Sequence, residues 1–163
     1  MHYISLREQV KKRCWELYAE YGPCADAAVR PETLADELGE DPGMVEAALR
    51  ALERTGVLRL EGLFHRAVYQ LVRRPARQAP ACLRGRYLDT LNAVVSHLQR
   101  SYQDGWRDRP MDPAGVAMQL GLDARQVELA FTDLFREGFI EKSRTGPTVY
   151  RLAHRPPESV MSW

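Results

Sequence analysis

Long apolar runs are missing from this chain of 163 residues, and nothing approaches the roughly 18 to 20 apolar residues of a membrane span. No apolar segment follows Met1-His2-Tyr3-Ile4, so no secretory signal is expected. Cysteine is scarce and odd in number: Cys14, Cys24 and Cys82 share no C-x-x-C spacing. That argues against a disulfide framework and for free thiols in a reducing cytoplasm. The four histidines, His2, His65, His97 and His154, have no partner at ligand spacing, so no metal site is expected. A phosphate-binding loop, a G-x-S-x-G turn and a paired-acid cleft are all lacking. We therefore expect no catalytic residue, no cofactor, no small-molecule ligand and no enzymatic activity.

An excess of one charge is lacking too, since the formal net charge is only +1. The average hides a pattern. Residues 1–72 carry nine basic and twelve acidic side chains, and residues 87–163 carry nine and ten. Between them lie Arg73, Arg74, Arg77, Arg84 and Arg86 with no acid at all. Two mildly acidic lobes joined by a basic hinge differ from a uniformly basic nucleic-acid binder.

What the chain does have is an internal repeat. A shift of 82 residues lays Leu34-Ala35-Asp36-Glu37-Leu38-Gly39 on Val116-Ala117-Met118-Gln119-Leu120-Gly121, and Pro31 on Pro113. The same shift matches Val45-Glu46-Ala47-Ala48 with Val127-Glu128-Leu129-Ala130, and Leu52 to Val57 with Leu134 to Phe139. One residue less matches Val68-Tyr69-Gln70-Leu71 with Val149-Tyr150-Arg151-Leu152, which makes the second hairpin one residue shorter.

Each copy opens with a long amphipathic helix. Its apolar stripe is Leu6, Val10, Cys14, Leu17 and Tyr21 in the first copy, and Leu88, Leu91, Val95, Leu98 and Tyr102 in the second. Variable loops follow, Gly22 to Arg30 and Gln103 to Met111. Pro31 and Pro113 then suit the first position of a short second helix, with Asp112 capping the second copy. Gly39 and Gly121 suit its left-handed end. Asp41 and Asp123 are positioned to cap a third helix that buries Val45, Ala48, Leu49 and Leu52, or Val127, Ala130, Phe131 and Leu134. Gly56 and Gly138 close it. Strands are expected at Val57–Glu61 and Ala67–Val72, and at Phe139–Lys142 and Thr148–Ala153.

This order, and the Leu-x-x-x-Gly-hydrophobic exit into a hairpin, resembles the winged helix-turn-helix superfamily from Pro31 to Leu71 and from Pro113 to Leu152. The resemblance implies a mainly α fold with small β-hairpins (α+β), as two tandem winged-helix domains. The first is expected over residues 1–73, a basic proline-containing linker over 74–82, the second domain over 83–154 and a flexible tail over 155–163. Such modules occur in transcription factors, plasmid replication initiators, RecQ-type helicases, the selenocysteine elongation factor and kleisin-associated subunits of bacterial condensin.

In that superfamily the outer face of the third helix enters the major groove, and the wing lies along the backbone. Carried onto this sequence, the second copy exposes Arg125, Gln126, Glu128, Thr132, Asp133 and Arg136. Arg125 and Gln126 fall in the first turn, and both residue types make bidentate base contacts. The second wing, with Lys142, Ser143 and Arg144, has the basic, hydroxyl-rich character of a backbone grip. The first copy offers only Arg50 on a nearly neutral helix face. Phosphate contact by Arg73, Arg74, Arg77, Arg84 and Arg86 would give a salt slope of roughly −4 to −5 on duplex DNA. Arg84 and Arg86 oppose the macrodipole of the helix they precede, so helix stability does not account for them.

Leu63 and Phe64 in the first wing are too apolar for an ordinary loop tip and are expected to fold back on the core or to dock onto a partner or the other copy. Trp15 and Tyr18, beside the first stripe, exceed the needs of a small core and are expected to pack on the other copy or meet a partner or second chain. The leading expectation is a cytoplasmic protein that binds duplex DNA, in transcription, replication or as a helicase accessory. The rivals are a protein-interaction scaffold and a binder of structured RNA. No membrane partner is expected.

Overall fold

The computed structural model describes residues 2–62, 67–76, 79–106, 109–143, 146 and 148–159. Within them the chain is mixed α and β, with six helices and two small antiparallel sheets. It divides into two compact units, Met1–Ala76 with Pro80–Gly85, and Arg77–Ala79 with Arg86–Trp163. Among the described residues, no helix is long and apolar enough to cross a membrane.

In the first unit, α1 (His2–Tyr21) ends at Gly22, whose φ of 73° is open to glycine without strain. A two-residue strand, β1 (Ala28–Val29), precedes α2 (Pro31–Leu38). Pro31 stands in the first turn of α2, where its missing N–H costs nothing. Gly39, at φ 65°, lets the Glu40 N–H return to the Ala35 carbonyl at 2.9 Å and closes that helix. The Asp41 carboxylate accepts from the Met44 N–H and starts α3 (Pro42–Arg54). Strands β2 (Leu58–Glu61) and β3 (Val68–Leu71) follow, and the sheet order is β1-β3-β2. Leu6, Val10, Leu34, Val45, Ala48, Leu49, Leu58, Tyr69 and Leu71 fill the core.

The C-terminal half of α1 departs from the expected stripe. Leu17 is only half-buried and Tyr21 is exposed, whereas Trp15, Tyr18 and Ala19 are buried. The cause lies far along the chain. The Arg74 guanidinium sits 5.1 Å from the Trp15 ring centroid and donates from Nε to the Ala76 carbonyl at 3.0 Å. Gly85 presses so closely on α1 that a Cβ there would stand 2.2 Å from the Ala19 carbonyl oxygen. Residues 74–76 and 80–85, expected as linker up to 82 and as second domain from 83, belong to this unit, with Arg74 and Gly85 against its first helix.

The second unit repeats the order. It contains α4 (Arg86–Gln103), α5 (Pro113–Leu120), α6 (Ala124–Arg136), β4 (Ile140–Lys142) and β5 (Tyr150–Leu152). Asp112 and Asp123 accept from the backbone N–H groups of Ala114 and Arg125. Gly121 closes α5 at φ 67°, and the Phe139 N–H returns to the Leu134 carbonyl just as Val57 N–H returns to Leu52. Its core is Tyr87, Leu88, Leu91, Val94, Leu98, Val116, Val127, Phe131, Leu134, Ile140 and Tyr150. Residues 155–159, expected as free tail, lie against α4: the Gln99 amide donates to the Pro157 and Glu158 carbonyls.

The repeat reaches into a loop that the sequence leaves unassigned. Val29 pairs with Tyr69 in the first sheet, and Met111 forms the corresponding bridge with Tyr150 in the second unit. Two main-chain bonds of 2.7 and 2.8 Å make that bridge. In each unit, therefore, the segment before the second helix is joined to the returning strand of the hairpin.

Candidate nucleic-acid interface

The third helix of each unit and the strands that follow carry most of the expected contact residues. On α6, the Asp123 cap fixes the first turn and leaves the Arg125 side chain exposed, with no side-chain bond among the described residues. Glu128 and Arg136 are exposed on the same helix, and Lys142 is exposed at the end of β4. These charged groups of the second unit face solvent around α6.

Gln126 is not among them. It lies half-buried, and its Oε1 accepts from the Thr90 hydroxyl of α4 at 2.9 Å. Asp133, also expected on the outer face, is buried and accepts from the Tyr87 hydroxyl at 2.7 Å. The reason is helical geometry. Positions 126, 130 and 133 are spaced i, i+4 and i+7, so they share one face with buried Ala130. That face meets α4, and both polar side chains find their partners there.

Thr132 and Ser143 also serve the scaffold. The Thr132 hydroxyl donates to the Glu128 carbonyl at 3.0 Å, back along its own helix. It also neighbours the Tyr150 phenol, whose pKa burial pushes above 10.0 while Thr132 pulls it back. Ser143 Oγ accepts from the Val149 N–H at 3.2 Å, closing the hairpin instead of reaching outward. Arg144, the expected centre of the second wing, lies outside the described residues.

In the first unit Arg50 is exposed, but its guanidinium pairs with Glu46 one turn earlier at 3.3 Å. It also stands beside the Tyr69 hydroxyl, which is buried and completes no hydrogen bond of good geometry. Burial raises the Tyr69 pKa, and the Arg50 charge works against that rise. The face of α3 is thus internally neutralised.

The hinge arginines separate into different roles. Arg73, Arg84 and Arg86 are exposed. Arg74 is only 7% exposed and covers Trp15, so it is a core cation and not a phosphate contact. An arginine is well suited to this place, since its flat guanidinium stacks on an indole while its N–H groups reach a carbonyl. Arg77 lies outside the described residues.

Both apolar residues of α1 expected at a partner surface are core residues. Trp15 is 2% exposed, and Tyr18, fully buried, meets it edge-on at 5.6 Å. Leu63 and Phe64 lie outside the described residues. Sequence reasoning missed the exposure of Met118 on α5 and of Phe135 on α6. Phe135 aligns with Glu53 in the repeat and lies off the buried row of Val127, Ala130, Phe131 and Leu134, which was the available signal that it faces outward. Among the described residues no cluster of histidine, cysteine and acidic groups could hold a metal ion. Compared with models of known protein families and with curated proteins, the chain matches none.

Proposed function

We propose that this chain binds duplex DNA through two winged-helix modules, with α6 of the second unit as the groove-reading helix. The observation that carries the reading is Arg125, held exposed in the capped first turn of α6, directly after the tight turn from α5. In a helix-turn-helix, that turn is where side chains meet base edges, and arginine there is suited to guanine. Lys142 and Arg136 supply phosphate contacts, with Arg144, outside the described residues, as the further cation the sequence offers. Gln126, Thr132 and Ser143 support the scaffold, and Arg74 holds α1. Arg73, Arg84 and Arg86 add sequence-independent attraction.

The pairing of Glu46 with Arg50 leaves the middle of α3 nearly neutral, so the first unit contributes little to groove reading. The burial of Trp15 and Tyr18 removes two residues on which a protein-scaffold reading leaned. What favours nucleic acid over that rival is the exposed basic set Arg125, Lys142, Arg73 and Arg84.

Fluorescence anisotropy on random duplex DNA across a salt series tests it. Binding at about 50 mM salt should weaken with a log–log slope of about −3 to −5. Arg125→Ala should relax sequence preference, while Lys142→Ala should weaken all sequences alike. The absence of binding at low salt sinks the proposal.

A further inference from the structure

The outer face of α6 carries an acid that its counterpart in the first unit does not leave unpaired. By the repeat, Glu128 corresponds to Glu46, Thr132 to Arg50 and Arg125 to Gly43. In α3 the Glu46 carboxylate meets the Arg50 guanidinium one turn further on, at 3.3 Å. A glutamate four residues before a cation is the favourable order on a helix. In α6 that order is undone. Thr132 stands where α3 has its cation, and its hydroxyl turns back to the Glu128 carbonyl at 3.0 Å. The arginine of this face, Arg125, comes three residues before the glutamate instead. Glu128 is exposed, and among the described residues neither Arg125 nor any other cation forms an ion pair with it. Its charge adds to the rise that burial gives the Tyr150 pKa, which places the carboxylate on the hairpin side of the helix.

An unpaired carboxylate is out of place on a helix that only grips phosphates, because it repels them. Against base edges it has a use. In the major groove a glutamate accepts from the cytosine N4 amino group, as arginine donates to O6 and N7 of guanine. Facing guanine or thymine, the same carboxylate meets acceptors only, so it rejects as well as selects. Arg125 and Glu128 are the exposed polar residues in the first two turns of α6. Three residues of helix rise about 4.5 Å, against about 3.4 Å between base pairs. A helix lying in the groove therefore sets these two side chains over neighbouring pairs.

We propose that Glu128 is a specificity-determining residue of α6, reading cytosine beside the guanine read by Arg125. The preferred duplex then contains two neighbouring G·C pairs. This rests on the reading of α6 as the groove-reading helix, and it adds to that reading the base that the helix's acid selects.

The test is selection from a library of randomised duplexes with the full chain at about 50 mM salt, repeated with three variants. The parent should enrich two neighbouring G·C pairs. Glu128→Ala should lose the cytosine position and keep the guanine, and Arg125→Ala should do the reverse. Glu128→Gln should move the preference at that one position from cytosine to adenine, whose N6 and N7 suit an amide. By anisotropy, the parent should favour the selected duplex about tenfold over one changed at the cytosine position, and Glu128→Ala should abolish that ratio. A circular-dichroism signal equal to the parent's checks that each variant is folded. A motif that Glu128→Ala leaves intact overturns the proposal while DNA binding by α6 still stands. So does binding with no enriched motif, or tighter binding of Glu128→Ala to every duplex alike, which would make the carboxylate a plain repulsion of phosphate. If the parent binds no duplex at this salt, the DNA reading itself fails and the proposal falls with it.

Discussion

The Tyr87 hydroxyl donates to Oδ2 of Asp133 at 2.7 Å, and both residues are buried between α4 and α6 of the second unit. A carboxylate so placed depends on its donors, because water is not there to replace them. Tyr87→Phe keeps the ring and removes the donor. It should destabilise the protein by about 1–3 kcal/mol, read as a lower urea midpoint at unchanged slope. A loss below about 0.5 kcal/mol would mean that the pair contributes little.

Two glycines should respond in opposite senses to the same substitution. At Gly85 a methyl group would meet the backbone of Ala19 and Glu20 at 2.2 and 2.6 Å. Gly85→Ala should cost about 1–3 kcal/mol or more, as the segment leaves α1 and uncovers Trp15. Gly115 lies inside α5, and its nearest neighbour to an added methyl is the Asp112 side chain at 3.9 Å. Gly115→Ala should stabilise by about 0.5–1 kcal/mol, from helix propensity alone. Thermal or urea denaturation of the two variants checks the sign of each.

Stability should fall on mild acidification, in part through His97. Desolvation, helped by Arg100, lowers its pKa below 6.5 in the folded protein. The folded state then binds the proton less readily than the unfolded one. That contribution is complete above about pH 6.5 and is lost as pH falls through the lowered value. His97→Gln should flatten the corresponding part of a stability-versus-pH curve measured by urea titration. An unchanged slope would remove His97 from the account.

Cysteine reactivity should divide by position. Cys14 is buried in α1, and burial pushes its thiol pKa up to about 12 despite the neighbouring Arg13. Cys82 is exposed. At pH 8 a thiol reagent should modify Cys82 promptly and leave Cys14 until the first unit opens. The slow phase should accelerate in Gly85→Ala, which loosens the cover on α1. Rapid labelling of Cys14 in the parent chain would contradict the packing of that helix.

Gln126 and Arg125, adjacent in sequence, should separate cleanly. Gln126→Ala takes away one of two acceptors of the Thr90 hydroxyl, which also meets the Arg86 carbonyl at 3.1 Å, and should lower stability by about 0.5–1 kcal/mol with DNA preference unchanged. Arg125→Ala should leave stability within about 0.5 kcal/mol and alter binding. The reverse pattern would exchange their roles.

Much of the scaffold was legible because it is local. Proline in the first turn, an aspartate cap and a left-handed glycine each act within a few residues of where they are written. Asp41, Asp112, Asp123, Gly39 and Gly121 all stand where the sequence places them. What was missed depends on distant chain. The two-residue strand Ala28–Val29 exists only because Gln70 and Tyr69 pair with it. Trp15 looks like surplus surface until Arg74 covers it, and Gly85 closes on the same helix at Ala19. Gln126 looks like a groove-reading residue until Thr90 takes its carbonyl oxygen. Helical spacing of buried Ala130 and Asp133 with position 126 was the available signal, and an aspartate in that row concealed it.

The strand order has a consequence for solubility. In the first unit the returning strand, β3, is central, and the rims of the sheet are β1 and β2. The first rim is two residues long, and the second presents Arg59 and Glu61 to solvent, paired with each other at 2.8 Å. In the second unit the corresponding rim, β4, ends in exposed Glu141 and Lys142. A short or charged rim offers a poor template for another chain's main-chain groups. At high concentration, the described edges therefore resist growth into extended sheet, and residues with no part in the core help keep separate molecules apart.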